Sequence, residues 1–481
     1  MGRYVPDDIV QVEEKAGQSA QDRALARPRV SVIVLNFNGE RVIGRCLEHL
    51  LAQNYRDFEI LVVDNNSTDG SLAVAERYLG CGRLSIVRAS RNLGVAGGRN
   101  LGLRYVQGEI IAFIDNDGYA DPDWLAQAIA TLDSSPQIGA VASLVFFQRN
   151  KAILNGAGGA MNYQGYGRDV CFDTPYEFAE LRRRVLYPMG CGMVVRRAIF
   201  DRFGAFDPKS VYYYDDTELG IRVWRAGMQV ALSPLSWIDH EFNYSGRFFP
   251  DRAFLFERAR LRVVFKHFPL RRLGQWLLQE AALLRSLNRP IQRIVLRAWM
   301  WNFLHLPSAL VMRFRFGLAK NPLWELLEPF WGQFHPAVPN NLVNQPDPAQ
   351  ARPALVMDGK SDVHQLNFGW YHPEREGDTA FRWSAAHASA LFRLPKPVLS
   401  CTVAFLGLPS KRSARIVVRA LGSLTPLYDS EFEMSPPGWT WRTFNMHLPA
   451  GCYEMQLLCD DEYIDAAGQR LGVAVPLVRF E

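Results

Sequence analysis

The chain has 481 residues, more than one ordinary domain of about 100–200 residues holds, so two or three cores are expected. Hydrophobic residues are 48% and charged residues 21%, a folded, globular balance, and a net charge of +5 is too small to argue for nucleic acid, which is not expected as a partner. The seven cysteines (Cys46, Cys81, Cys171, Cys191, Cys401, Cys452 and Cys459) form no Cys-x-x-Cys pair and are odd in number, which fits reduced, mostly buried thiols of a cytoplasmic protein.

Residues 1–28 mix charge, Gln and Pro without periodicity and are expected as a flexible tail with no secretory signal. Val30 to Phe37 is an apolar run of strand length. Val42, Ile43, Cys46, Leu47, Leu50 and Leu51 then recur at helical spacing within 40–53. Strands over 58–63, 84–87 and 109–114 alternate with helices over 71–79, 95–106 and 122–132, with Pro122 near the first turn of the last. Such alternation implies an α/β domain with a largely parallel sheet covered on both faces, whose ligands bind at the carboxyl ends of the strands. Polar clusters fall at those ends, at 36–38, 64–69 and 115–117. Polar loops commonly follow strands, but three clusters at one edge point to a site. The turn after the first strand, Asn36 to Glu40, lacks the Gly-x-Gly-x-x-Gly of dinucleotide-binding oxidoreductases.

Further along, 187–195 is expected as a strand with a Gly-rich entry, and 215–226 as a helix with an acidic start suited to its N-terminus. Residues 271–320 hold eight Arg and one Lys against the single acid Glu280, with Trp276, Trp299 and Trp301 among Leu, Ile and Val. This pattern suits basic amphipathic helices, which either pack on the domain before them or lie on an anionic membrane surface. No apolar run reaches the roughly 18 residues of a transmembrane helix. A linker over 336–353 leads to alternating segments at 413–419, 443–448 and 452–458, which predict a small all-β sandwich over 354–481. Its Trp370 and Trp383 are suited to stacking on sugar rings, for a carbohydrate-binding module, or to a place in the core.

Asp115 and Asp117 end a buried apolar strand, and residues i and i+2 of an extended chain point the same way. Two carboxylates so placed can hold Mg²⁺ or Mn²⁺ together with diphosphate oxygens, giving Lewis-acid help to a leaving group.

Four ordered motifs make the pattern specific: VSVIVLNFNG (30–39), LVVDNNSTDGS (61–71), RNLGVAGGRN (91–100) and FIDND (113–117). Together they resemble the family-2 glycosyltransferases of GT-A fold, in the branch of rhamnosyl- and galactofuranosyltransferases of bacterial surface polysaccharides. The likeness runs from residue 29 to about 268. It implies a Rossmann-like nucleotide-sugar-binding domain over 29–270, followed by the basic helical segment (271–335). Asp64 would then hydrogen-bond the donor's base, with Asn36, Asn66, Arg91 and Asn92 lining the nucleotide pocket. Gly94, Ala96, Gly97 and Gly98 would let the backbone approach the donor, and Asp115 and Asp117 would face metal, ribose or phosphate. The segment YDDTEL (214–219), with GIRVWRAG after it, resembles the family's EDxDLxxRxxxxG, with Asp215 and Glu218 exchanging the outer acids; Asp216 would be the catalytic base. His240 would be the third metal ligand, favouring Mn²⁺ over Mg²⁺, and Arg247 would approach the diphosphate. The implied activity is inverting transfer from a UDP- or dTDP-sugar to a hydroxyl of a glycan, lipid-linked at the inner face of the cell membrane, by a peripheral enzyme. The competing readings are a glycan-binding protein with an inactive transferase domain and a sugar-1-phosphate nucleotidyltransferase; the latter's Gly-rich signature with Arg and Lys after the first strand is absent.

Overall fold

The structure, a computed structural model, describes residues 9–13, 27–148, 150–172, 174–176, 179, 181–241, 252–286, 289–315, 323–327, 354–356, 366–376, 379–407, 412–420, 425–434, 438–459, 463–464, 470–471, 474–475 and 477–480. The chain divides into two compact units, one of Met1–Gln148, Leu154–Phe172 and Glu180–Pro329, the other of Arg149–Ile153, Asp173–Ala179 and Phe330–Glu481.

In the first unit, β1 (Ile9–Glu13), β2 (Val30–Asn36), β3 (Phe58–Asp64), β4 (Leu84–Ala89), β5 (Ile110–Asp115), β6 (Gly118–Ala120), β7 (Ile138–Phe147), β8 (Gly159–Met161), β9 (Gly167–Asp169), β10 (Met193–Arg196) and β11 (Gln229–His240) are the strands that matter for the site. The main sheet runs β1-β4-β3-β2-β5-β10-β7-β11. Strands β4, β3, β2 and β5 are parallel neighbours, and their apolar runs are buried almost throughout, as a sheet covered on both faces requires. Helices α1 (Ile43–Leu51), α2 (Ser71–Glu76), α3 (Gly94–Tyr105) and α4 (Trp124–Asp133) are the crossovers, within two or three residues of their expected bounds. The flexible tail expected over 1–28 is corrected at Ile9–Glu13: this segment is a strand, paired antiparallel with β4 at the open edge of the sheet. Its Ile9, Val10 and Val12 give strand propensity that a composition-based reading of the tail overlooks.

The second half of the unit breaks the parallel rule. Strand β10 is antiparallel to both β5 and β7, while β11 runs parallel to β7. The strand expected over 187–195 is shorter, beginning at Met193. The reason is specific: the Gly190 amide donates to Asp216 Oδ2 (3.0 Å) and its carbonyl accepts from Arg99 Nη2 (3.1 Å), so its backbone serves the site.

Helices α5 (Arg197–Phe203) and α6 (Asp215–Arg225) flank this region, and α7 (Arg252–His267), α8 (Leu270–Ser286), α9 (Arg289–Leu304) and α10 (Leu306–Arg315) follow β11. Trp276 of α8 is fully buried and packs near-parallel to Trp299 of α9, 5.6 Å between ring centroids. Helix α7 is tied to α6 by buried ions. Arg262 Nε and Lys266 Nζ reach Asp207 Oδ2 at 2.6 and 2.8 Å, and Lys266 also pairs with Glu218, which accepts from Arg222 and lies 3.1 Å from His267 Nε2. Removal from water pushes the His267 imidazole down to about 4, so it is neutral, and the compensating charges are Lys266, Arg262 and Arg222. Replacing Lys266 by Met strands part of the negative charge of Asp207 and Glu218 in a dry interior. Breaking a buried pair in this way costs about 3–5 kcal/mol. The expected result is a marked loss of stability of the first unit in guanidinium denaturation followed by near-ultraviolet circular dichroism; an unchanged midpoint would show the cluster to be energetically idle.

Among the described residues the second unit has two larger antiparallel sheets and a two-stranded ribbon of Tyr463–Ile464 with Arg470–Leu471. One larger sheet holds Ala354–Val356, Leu477–Phe480, Val398–Gly407 and Gly438–Leu448; the other holds Leu366–Glu376, Thr379–Leu394, Gly451–Cys459, Arg412–Ala420 and Pro426–Met434. Phe392 meets Phe480, and Phe432 meets Phe405 and Phe444, so both sheets share one apolar core, as in a β-sandwich. Trp370 and Trp383 lie on paired strands, with their side chains outside the described residues, as is the linker over 336–353.

Candidate active site

Register builds the site. Asn36 pairs with Asp64 across β2 and β3, and Leu35 pairs with Asp115 across β2 and β5, so the three polar clusters end at one edge of the sheet. Strand β6 begins right after Asp117 and pairs antiparallel with β11, His240 opposite Gly118. The Glu241 amide donates to the Asp117 carbonyl at 2.9 Å. This pairing, between segments distant in the chain, brings His240 Nε2 to 3.3 Å from Asp117 Oδ1.

The Asp117 side chain is buried, and apart from the His240 Nε2 contact its carboxylate oxygens have no hydrogen-bond partner among the described residues. His240 Nδ1 sits 2.8 Å from Asn155 Oδ1, which can only accept, so Nδ1 carries a proton. Burial opposes charge on the ring, but Asp117, Asp115 and Asp169 together hold the His240 imidazole above its ordinary range, so without a cation Nε2–H faces Asp117 Oδ1. A divalent cation would take the place of that proton between the two side chains, since metal binding releases protons from its ligands. Ligating atoms of Asp115, His240 and Cys191 also lie within 4.8 Å of one another. Burial and the neighbouring Asp115 and Asp117 hold the Cys191 thiol well above its ordinary range, so in the metal-free protein it is protonated. Two carboxylates and an imidazole, oriented by Asn155, fit a divalent cation such as Mn²⁺ or Mg²⁺. Outer partners of metal-bound His typically carry 10–100-fold in metal affinity. Asn155→Ala is therefore expected to weaken Mn²⁺ binding by about that factor in calorimetric titration; undiminished affinity would remove His240 from the ligand set.

Opposite the metal residues stands the acidic start of α6. Arg99 of α3 is buried; it pairs with Asp215, lies 3.1 Å from Asp115 Oδ1, and donates to the Gly190 carbonyl. It ties the strand end to the helix end. Asp216 is held by two backbone amides, Thr217 N to Oδ1 at 2.6 Å and Gly190 N to Oδ2 at 3.0 Å. Removal from water and the neighbouring Asp215 carboxylate push its carboxyl up to about 7, against the pull of Arg99. Asp169, at the end of β9, is likewise pushed up to about 7 by burial and by Asp216, with His240 opposing. The two residues before the helix, Tyr213 and Tyr214, have φ of 71° and 62°. Such backbone is costly for bulky residues, and here the Tyr214 hydroxyl, bonded to Gly165 O and Gly167 N, fixes it.

The residues expected around the nucleotide divide into two groups. Asn36 and Asp64 are fully buried and bonded to each other (3.1 Å); Asn36 also bonds Ser67, Ser71 and Asn116, and Asp64 Oδ2 accepts from Ser67 N and pairs with Arg88. They shape the loop from within. Asn66, at φ 64°, is part-exposed, and Arg91 and Asn92 are exposed at the same edge. Asn92 Oδ1 accepts from Gly94 N and Asn65 Nδ2, joining this loop to the end of β3. Gly94 has φ 71°, and a Cβ there would come within 2.7 Å of the Val211 carbonyl, so protein packing already demands this glycine. Ala96 and Gly98 are buried in α3, and Gly97 is part-exposed. Arg247 lies outside the described residues. Arg99, Asn65, Asn155, Asp169 and Cys191 were given no role at the site by the sequence reading, although Asn65 and Arg99 sit inside quoted motifs.

A mixed sheet, parallel through β4-β3-β2-β5, with an acidic carboxyl edge and an acidic helix start tied to it through Arg99, is the architecture of α/β domains of GT-A type. Residues 31–204 match the family described as Glycosyl transferase family 2, and the chain carries a domain of that family. The O-antigen biosynthesis protein RfbC of Myxococcus xanthus is 26% identical over 230 residues, 46% of this chain and 18% of that one. Poly(ribitol-phosphate) β-N-acetylglucosaminyltransferase TarS of Staphylococcus aureus is 27% identical over 191 residues, 39% of this chain and 31% of that one. The matches thus span less than a third of these curated relatives. Among solved structures, the mannosyltransferase PcManGT of Pyrobaculum calidifontis, in complex with GDP-Man and Mn²⁺, is 21% identical with a TM-score of 0.37, covering 67% of this chain and 81% of that one.

Proposed function

We propose that the protein is an inverting, metal-dependent glycosyltransferase that moves a sugar from a UDP- or dTDP-sugar to a hydroxyl of a surface-polysaccharide acceptor, lipid-linked at the inner face of the cell membrane. The observation that carries this reading is the buried Asp117 carboxylate 3.3 Å from His240, with Asp115 at the same strand end tied through Arg99 to the acidic start of α6. Asp115, Asp117 and His240 would hold Mn²⁺ or Mg²⁺, which when bound supplies Lewis-acid stabilisation of the departing diphosphate. Asp216 takes the proton of the acceptor hydroxyl as its oxygen bonds to the anomeric carbon, and the bond from that carbon to the phosphate oxygen breaks. The nucleoside diphosphate leaves with that electron pair. Thr217 and Gly190 amides hold the Asp216 carboxylate in line, and Arg99 offsets Asp115 and Asp215 so that the acidic cluster can coexist in one cleft. The names of RfbC and TarS, an O-antigen protein and a transferase to a ribitol-phosphate polymer, support a surface-polymer acceptor. Release of nucleoside diphosphate across a panel of UDP-, dTDP- and GDP-sugars, with Mn²⁺ and with a chelator, tests the reading. Metal-dependent release from a pyrimidine-nucleotide sugar is expected; none from any donor would overturn it.

A further inference from the structure

Helices α9 and α10 both pack on α7, and Val295, Ala298 and Ala309 are buried. Their other sides are not polar. Phe303 is 74% exposed, Leu304 71% and Val311 67%, with Met300 and Phe314 also exposed, and Leu278 of α8 is 75% exposed. An amphipathic helix in water needs only one apolar stripe, so these second stripes serve no core. They are not scattered. On α9, positions 289, 293, 296, 297, 300 and 304 follow helical spacing along one exposed face, with Arg289, Arg293 and Arg297 in its first half and Met300 and Leu304 in its second. On α10, Val311 and Phe314 lie three residues apart on one exposed face, and α10 starts two residues after α9 ends. The one acid of this region, Glu280, is buried against Arg260.

We infer that the outer faces of α9 and α10 dock in the headgroup layer of an anionic bilayer, the apolar residues from Met300 to Phe314 entering it and Arg289, Arg293 and Arg297 meeting its phosphates. The occupant follows from charge. A symmetric second copy would set arginine faces against each other, whereas anionic lipid matches both the arginines and the exposed apolar side chains. None of the described helices is long and apolar enough to cross a membrane, so the faces lie along the surface. The docking gives the proposed transferase a place beside a lipid-linked acceptor and rests on that reading only for its purpose.

The test is flotation of the full chain, without donor, on phosphatidylcholine vesicles with and without about 30% phosphatidylglycerol. Anionic vesicles are expected to hold at least about tenfold more protein, and added salt to reduce this by shortening the reach of charge. The double variant Phe303→Glu with Val311→Glu is expected to lose at least about tenfold in vesicle binding, with circular dichroism and nucleoside-diphosphate affinity unchanged. Failure of the native chain to float on either vesicle, or equal flotation of the variant, overturns the inference. So does sedimentation showing a native dimer that the variant splits. Because no donor is present, each of these failures leaves the transfer reaction standing, and loss of donor turnover would leave the docking standing.

Discussion

Asp216→Asn is expected to lower turnover by about 10²–10⁴ while donor affinity changes little. The range is the usual contribution of a positioned general base. The side chain keeps its shape and its oxygen can accept from the Thr217 amide, while its NH2 faces the Gly190 amide and loses that bond, so circular dichroism and donor affinity are measured beside turnover. The pH dependence has a definite sign. The active form of the base is the carboxylate, and its carboxyl is pushed up to about 7. Turnover of the native chain should therefore fall as pH drops through about 7 and level off above it, and the residual turnover of the variant should lose that step. Steady-state kinetics across pH on both proteins is the check. A variant within a few-fold of the native chain would send the proton elsewhere, and Asp169, raised for related reasons, would be the next residue to replace.

Asp117→Asn is expected to lower Mn²⁺-dependent nucleotide affinity by on the order of a hundredfold or more. Metal stabilisation of diphosphate charge is worth several kcal/mol, and each 1.4 kcal/mol is about tenfold. A second consequence separates a metal ligand from a structural acid. The Asp117 carboxylate is buried with His240 as its ionic neighbour, a pair whose attraction is largely offset by desolvation. Neutralising the carboxylate should change the melting temperature of the metal-free protein far less than it cuts the stabilisation that added Mn²⁺ gives the native chain. A large drop in that temperature, with Mn²⁺-dependent binding intact, would make Asp117 a structural residue.

Much of this architecture is visible in the sequence because its physics is local. The runs at 30–36, 58–64 and 110–115 are continuous and apolar, as buried parallel strands must be, and each ends in a polar residue. The stretch 187–192 misleads, because Gly190 directs its amide and carbonyl to Asp216 and Arg99. No spacing rule announces the pairing of β6 with β11 that delivers His240; the family likeness placed that residue. Arg99 reads as one more surface arginine until its burial between Asp115 and Asp215 is seen, since buried arginines are uncommon. Asn155 and Asp169 lie where periodicity gives no signal, and their roles come from folding onto His240 and Asp216. The helices over 270–315 pack on the domain before them through Trp276 and Arg313, the latter bonding the Phe265 and Phe268 carbonyls, and leave leucine and phenylalanine side chains exposed on their other sides.

The central claim is a single displacement at the anomeric carbon with Asp216 as the base. It is tested most directly by the anomeric configuration of the product linkage, read by proton NMR after transfer from the donor that the panel identifies. One carboxylate base and no covalent sugar–enzyme intermediate predict an inverted configuration relative to the donor; retention would contradict the account.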